Sequence, residues 1–301
     1  MGETAVSQCP SFQSAATLLR RKLSATIEEL ADLAREVPVI HQHRDWDTLV
    51  RYVPDCKWGE LSAEQRARQM ELKRRYEEAH QLLRLILRGA PKNLLQRFQD
   101  ADKRFRVWLE FEQLNWSLSA QPERNRSRVL QDGARLLETL AVVDAIGLHD
   151  VVIVPDMYSL LQRPDPADYR AVIGRGSFVF VLLPTVLAEL GRLSLGHSNP
   201  DVRERARRVV ANVKAWRRQG SLHGGVIVDG TITVFARYKD PDMSSTLPWL
   251  SPYVEDDRII ASILELQMEH PAATVVLVTG DVNLQNKAEA ALINAVDAFA
   301  D

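Results

Sequence analysis

The chain has 301 residues, 46% of them hydrophobic and 26% charged, with a formal net charge of -2. That is the profile of a soluble globular protein long enough for two domains, and it excludes a globally basic surface, so any nucleic-acid binding must come from a local patch. The apolar runs are too short to span a membrane and the N-terminus MGETAVSQCPSFQSAA lacks a signal-peptide layout, so a cytoplasmic location is expected. Only Cys9 and Cys56 occur, without metal-ligand spacing; reduced thiols are the preferred reading, and a single disulfide stays open.

The first half reads as helical. Pro10-Ser11 opens a segment whose apolar residues Leu19, Leu23, Ile27, Leu30, Leu33 and Val37 recur at spacings of three and four, and Pro38 ends it. An irregular stretch follows, with Trp46 and Trp58 expected to pack on neighbouring helices. Ser62 and Gln65 form a capping-box pattern at the start of a charged helix with the apolar face Met70, Tyr76, Leu83 and Leu87, ending near Gly89-Ala90-Pro91. Two further helices are predicted over 92–118 and 123–146, separated by Ser119-Ala120-Gln121-Pro122.

The pattern changes at Gly147-Leu148-His149-Asp150. Short apolar runs then alternate with helical segments: VVIV (151–154), FVFVLL (178–183), VIVDGTITVF (226–235, hairpin-like) and TVVLV (274–278). Such runs predict a parallel sheet covered by helices on both faces. The expected organisation is an all-α domain of unassigned role over 1–147, then an α/β domain over 148–301.

Acids fall where the strands end. VVIV stops at Pro155-Asp156, and Glu189 lies about one turn into the helix that begins at Pro184. Asp256 and Asp257 occupy the first turn of the helix before IIASILEL, and TVVLVTG ends at Asp281. In an open parallel sheet these ends line one edge, where ligand crevices form. Gathered acids repel unless cations are present, and oxygen donors suit Mg²⁺ or Mn²⁺. Taken singly, Asp256 or Asp257 could serve only a helix N-terminus, Asp281 only a turn, and Glu189 only a helix surface.

Together these residues resemble the PIN-domain family of metal-dependent nucleases. Its pattern places an Asp after the first strand, a Glu on the next helix, an Asp in D-x-x-I-[AL]-[AS] and an Asp in T-x-D-x-N. Here these correspond to Asp156 in VVIVPDMYSLL, Glu189 in LPTVLAEL, Asp257 in DDRIIAS and Asp281 in VTGDVNLQNKA. The closing segment is similar to the branch that includes eukaryotic RNA-decay endonucleases, and the whole resembles a bacterial PIN protein with an N-terminal helical domain. The resemblance covers roughly residues 150–301 and implies a PIN-like parallel sheet flanked by helices. The chain departs from the family at Met157-Tyr158, where small polar residues usually hold the first aspartate.

The implied activity is hydrolysis of RNA phosphodiesters with Mg²⁺ or Mn²⁺. Asp156, Glu189, Asp257 and Asp281 are the catalytic candidates; with Asp256 they are the candidate metal ligands, and Thr279 and Asn283 are candidate supports. Arg203, Arg205, Arg207, Arg208, Lys214, Arg217 and Arg218 make 201–220 a one-signed basic helix that is either a solvated face or a phosphate grip. Lys287 and Arg258, next to the motif acids, would contact phosphate or relieve carboxylate repulsion. Trp216 and Trp249 read as packing residues. Single-stranded RNA is the partner implied by the family, and the helical half would orient RNA, form a homo-oligomer or dock a protein. The alternative is a catalytically weakened PIN-fold RNA-binding or scaffold protein.

Other chemistries lack their motifs. No nucleophile elbow or phosphate-binding loop occurs, and His41-x-His43 is isolated. Aspartyl-nucleophile phosphatases usually carry Asp-x-Asp after the first strand, whereas this chain has Asp156-Met157-Tyr158.

Overall fold

A computed structural model describes residues 12–41, 54–113, 115–146 and 150–297. The chain divides into two compact units, one within Ala16–Ala145 and one within Ile146–Asp301 that also takes the described end of Met1–Ala15. Trp46, Cys9, His43 and the Pro10-Ser11 helix start lie outside the described residues.

The first unit contains α1 (Ala15–Glu36), a short hairpin of β1 (Val39–His41) and β2 (Cys56–Trp58), α2 (Ala63–Ile86), α3 (Lys92–Leu109) and α4 (Pro122–Ile146). Helix α1 buries Leu19, Leu23, Leu30 and Leu33 on one stripe, as a period of 3.6 demands. The Ser62–Gln65 capping box forms in both directions at the start of α2. Met70 does not join the core and stands 67% exposed. The buried stripe of α2 runs through Leu72, Tyr76, Ala79 and Leu83, and a residue two positions before Leu72 points to the opposite side of the helix. Helix α3 stops at Leu109, short of 118, because Phe111 takes a left-handed backbone (φ 50°) and packs its ring 4.8 Å from Trp58. Trp108 Nε1 then ties α3 to α4 by donating to Asp132 at 2.8 Å. Gly133 lets α4 approach α1, since a Cβ there would sit 2.5 Å from Ile27.

A polar cluster joins α2 to α3. Tyr76 donates to Asp102 Oδ1 at 2.6 Å, Arg106 Nε lies 3.0 Å from the same carboxylate, and the Arg106 guanidinium also grips Glu77. His80 packs between the Tyr76 and Phe98 rings and faces Asp102 at 3.5 Å. Burial opposes charge on Asp102, but its bonds from His80, Tyr76 and Arg106 outweigh that and hold the carboxyl at about 2.

The second unit contains β3 (Val151–Pro155), α5 (Met157–Gln162), α6 (Tyr169–Ile173), β4 (Phe178–Leu182), α7 (Pro184–Gly196), α8 (Pro200–Gln219), β5 (Val226–Val228), β6 (Ile232–Ala236), α9 (Glu255–Glu269), β7 (Thr274–Val278), α10 (Val282–Ala290) and β8 (Asn294–Val296). The sheet order is β5-β6-β4-β3-β7-β8, parallel throughout except for the β5–β6 hairpin. That hairpin turns through the three residues 229–231, with positive φ at Asp229 (46°) and Gly230 (71°). The predicted parallel sheet is therefore a mixed one. Strand β8 escaped the sequence reading because it is three half-buried residues with no apolar run. The described start of the chain is tied to it, with Asn294 Nδ2 donating to the Gln13 carbonyl at 2.8 Å.

Connections from β3 lead to β4 on one side, and the chain later returns to place β7 on the other. The winding reverses at β3, so the crevice of this open sheet falls at the C-terminal ends of β3, β4 and β7. Ile153, Phe180, Leu182, Val276 and Leu277 are fully buried, as expected of strands covered on both faces. No helix among the described residues is long and apolar enough to cross a membrane.

The depressed Asp102 carboxyl yields a pH prediction. Its contribution to stability is present above the unfolded value near 3.8 and is lost as pH falls through about 2. Asp102→Asn will lower the melting temperature at neutral pH, and the gap from wild type will close as the pH approaches that value in calorimetric scans.

Candidate active site

Neighbouring strands β3 and β7 end level with each other, Pro155 opposite Val278. Asp156 follows β3 immediately and caps α5, its Oδ1 accepting from the Ser159 amide at 2.6 Å. Its other oxygen, Oδ2, accepts from the hydroxyl of Thr279, the first residue after β7. The same hydroxyl accepts from the Asp281 amide at 3.0 Å. One buried threonine thus fixes the positions of two acids across adjacent strands. Asp281 caps α10, taking the amides of Asn283 (2.7 Å) and Leu284 (3.1 Å) on Oδ1, and is exposed.

Asp256 and Asp257 stand in the first turn of α9. Asp257 is buried, and its Oδ2 accepts from the Ser251 amide at 2.9 Å. Lys287 of α10 lies 2.7 Å from Asp257 Oδ1, an ion pair whose angle falls short of a directed hydrogen bond, and 3.3 Å from Asp256 Oδ2. Asn283 Nδ2 also donates to Asp256, at 3.2 Å. Glu189 is half-buried on α7, one helical turn after Thr185, whose hydroxyl is buried without a hydrogen-bond partner among the described residues.

Charge accumulates at this edge. Burial pushes the Asp156 carboxyl above the usual range; its bonds from Thr279 and Ser159 pull it back, and Asp281 adds to the rise. Burial also raises Glu189, reinforced by Glu255, Asp156 and Asp256 and opposed by Arg192, which itself pairs with Glu255. Partial burial works against the Lys287 ammonium, but its pairing with Asp257 and Asp256 prevails and raises it.

Among the described residues no three of His, Cys, Asp and Glu are close enough to hold a metal ion as they stand. The chemistry of the donor set nevertheless suits a hard divalent cation: oxygen ligands only, two of which, Asp156 and Glu189, are raised by burial and neighbouring acids, a cost such an ion would relieve.

Thr279 and Asn283 both serve the acids. The small polar residues missing at 157–158 are replaced by Ser159 and Thr279, and Ser159 is further anchored by its hydroxyl on the Val278 carbonyl (2.8 Å). Ser159 escaped the sequence reading, although its place three residues after a capping aspartate was the available signal. Tyr169 also went unread: its phenol is fully buried, has no hydrogen-bond partner among the described residues, and is raised by burial and then by Asp156. No sequence signal marks it. Arg258 pairs with Asp240 at 2.6 Å.

The basic segment is helix α8, which packs on α7 after a turn of three residues, 197–199, so the two run antiparallel. Its C-terminal end therefore returns toward the edge where α7 begins. Arg217 and Arg218 lie there, whereas Arg207, bonded to the Ser194 carbonyl at 3.1 Å, and Arg208 lie farther along. Arg203 donates to the His197 carbonyl and Arg205 to Gln162. Arg208, Lys214, Arg217 and Arg218 are exposed and form no ion pair among the described residues. Trp216 is buried as read, but Trp249 is 46% exposed.

A helix-flanked, mostly parallel sheet with acids collected at its C-terminal edge defines a nuclease-type fold. Residues 153–298 match the PIN domain family, and this part of the chain is a PIN domain. No curated protein matches the chain.

The raised acids give a signed expectation. Their ionisation costs stability at pH above their folded values, and the cost vanishes below the ordinary carboxylate range. Asp156→Asn and Glu189→Gln will therefore melt at higher temperature than wild type in chelator at neutral pH, with the gain shrinking on acidification.

Proposed function

We propose that the protein is a divalent-metal-dependent endoribonuclease that hydrolyses phosphodiester bonds in single-stranded RNA. The observation that carries the reading is the Thr279 hydroxyl, which bonds Asp156 and the Asp281 amide at once and so serves an acid pair at a sheet switch point. A purely structural strand end has no need of two acids whose company raises one of them.

Asp156, Glu189 and Asp281 form no ion pair among the described residues, and they would hold Mg²⁺ or Mn²⁺. When bound, the ion lowers the pKa of a coordinated water and neutralises charge that builds on the scissile phosphate. Glu189, raised by burial, is suited to take the proton from the attacking water as its oxygen bonds phosphorus and the leaving sugar oxygen departs. Asp256 and Asp257 complete the acid set, with Lys287 limiting their repulsion rather than reaching for phosphate. Asn283 holds Asp256. Arg217 and Arg218 would grip the strand backbone beside the site, ahead of Arg207, Arg208 and Lys214. The helical unit would dock a partner or a second copy, its mixed charge giving no broad RNA surface.

A weakened, RNA-binding scaffold is the second reading, favoured by one observation: Lys287 already occupies both α9 carboxylates. Cleavage of labelled RNA and DNA strands with Mn²⁺ or Mg²⁺ separates the two. The nuclease reading expects metal-dependent cutting of single-stranded RNA, reduced at least a hundredfold in Asp281→Asn, about the size of losing one transition-state contact. Equal cutting by both proteins, or none by wild type with either metal, rejects it.

For the basic helix, RNA affinity against salt is the measurement. Arg217→Glu with Arg218→Glu should flatten the slope of log affinity by about 1.4, roughly 0.7 for each lost phosphate contact on a single strand. Arg207→Glu with Arg208→Glu should change it less.

A further inference from the structure

Several of the large apolar side chains exposed at the described surface stand close in the chain to the acids. Tyr253 is 94% exposed, Tyr158 56%, Trp249 46% and Val282 68%. Tyr158 lies two residues after Asp156, and Val282 directly follows Asp281. Tyr253 belongs to the loop that holds Asp257: its amide donates to Ser251 Oγ at 3.3 Å, and the Ser251 amide donates to Asp257. Trp249 precedes that loop. Helix α9 is bound to α10 through Asp256–Asn283 and the Lys287 pairs, and α10 to β3 through Thr279. Tyr158 and Tyr253 are thus carried on the same hydrogen-bonded frame as the acids.

We propose that Tyr158 and Tyr253 form an aromatic rim that stacks on unpaired bases next to the phosphate to be cut, selecting single-stranded over duplex substrate. The inference rests on the nuclease reading and assigns two side chains to the choice of a single-stranded substrate. Exposed aromatic rings at a cleft are a hydration liability that a stacked base removes, and every base offers a face whatever its sequence. A duplex keeps those faces stacked internally and cannot present them. The change from small polar residues to Met157-Tyr158 then gains a purpose: Asp156 draws its support from Ser159 and Thr279, which releases position 158 for an exposed ring. Neither ring belongs to the buried core, so its removal should leave the fold intact.

The test is binding by the full chain in chelator, which separates recognition from cleavage. A short single-stranded RNA carrying 2-aminopurine is titrated, with a fully paired duplex and an abasic strand as controls. Wild type should quench the fluorophore. Tyr158→Ala and Tyr253→Ala should each weaken single-strand binding about tenfold, with Phe restoring it and the salt slope unchanged. The duplex and abasic strands should bind alike to all variants. Unchanged single-strand affinity in both Ala variants overturns the rim and leaves those rings to a protein partner. Equal losses for strand, duplex and abasic RNA overturn it too. Cleavage by Asp281→Asn equal to wild type would reject the nuclease reading while leaving the stacking result standing; unchanged stacking with metal-dependent cleavage intact rejects the rim alone.

Discussion

The second unit is organised around a repulsion. Four separate chain segments deliver carboxylates to one end of a sheet, where burial and proximity raise Asp156 and Glu189. The fold meets this with devices of short reach: the Thr279 hydroxyl and Ser159 amide on Asp156, helix caps at Asp281, and the Lys287 ammonium on the α9 pair. Each device belongs to an element that must be in register for the next to work. Thr279 can bond Asp156 only because β3 and β7 are neighbours with Pro155 opposite Val278.

These supports divide the acids into two sorts. Asp256 and Asp257 are compensated from within the protein, whereas Asp156, Glu189 and Asp281 form no ion pair among the described residues. Uncompensated carboxylates at a crevice reduce stability, which is the usual bargain at a site kept for chemistry rather than for folding. The helical unit shows the contrary arrangement: Asp102 is satisfied by Tyr76, Arg106 and His80 and is held low, a cluster that fastens α2 to α3.

Much of the fold was legible because it rests on periodicity. The capping box at Ser62, helix α4 and strands β3, β4 and β7 follow from short-range patterns that local physics enforces. Met70 and the end of α3 were misread because burial side and a left-handed Phe111 are settled by what the neighbouring elements offer. Strand β8 has no apolar run to announce it; pairing with β7 creates it.

For the site, the sequence by itself determined which acids stand at strand ends and helix starts, because those positions are set by local turns and caps. It did not determine which of them touch. Only the tertiary structure brought Thr279 to Asp156, gave Lys287 to the α9 acids, turned Arg258 to Asp240, and buried Tyr169 while leaving Tyr158 and Tyr253 in water. The reason is range. A cap or turn involves residues a few positions apart, whereas a bond between residues 156 and 279 exists only when strand order, register and crossing have all been chosen together.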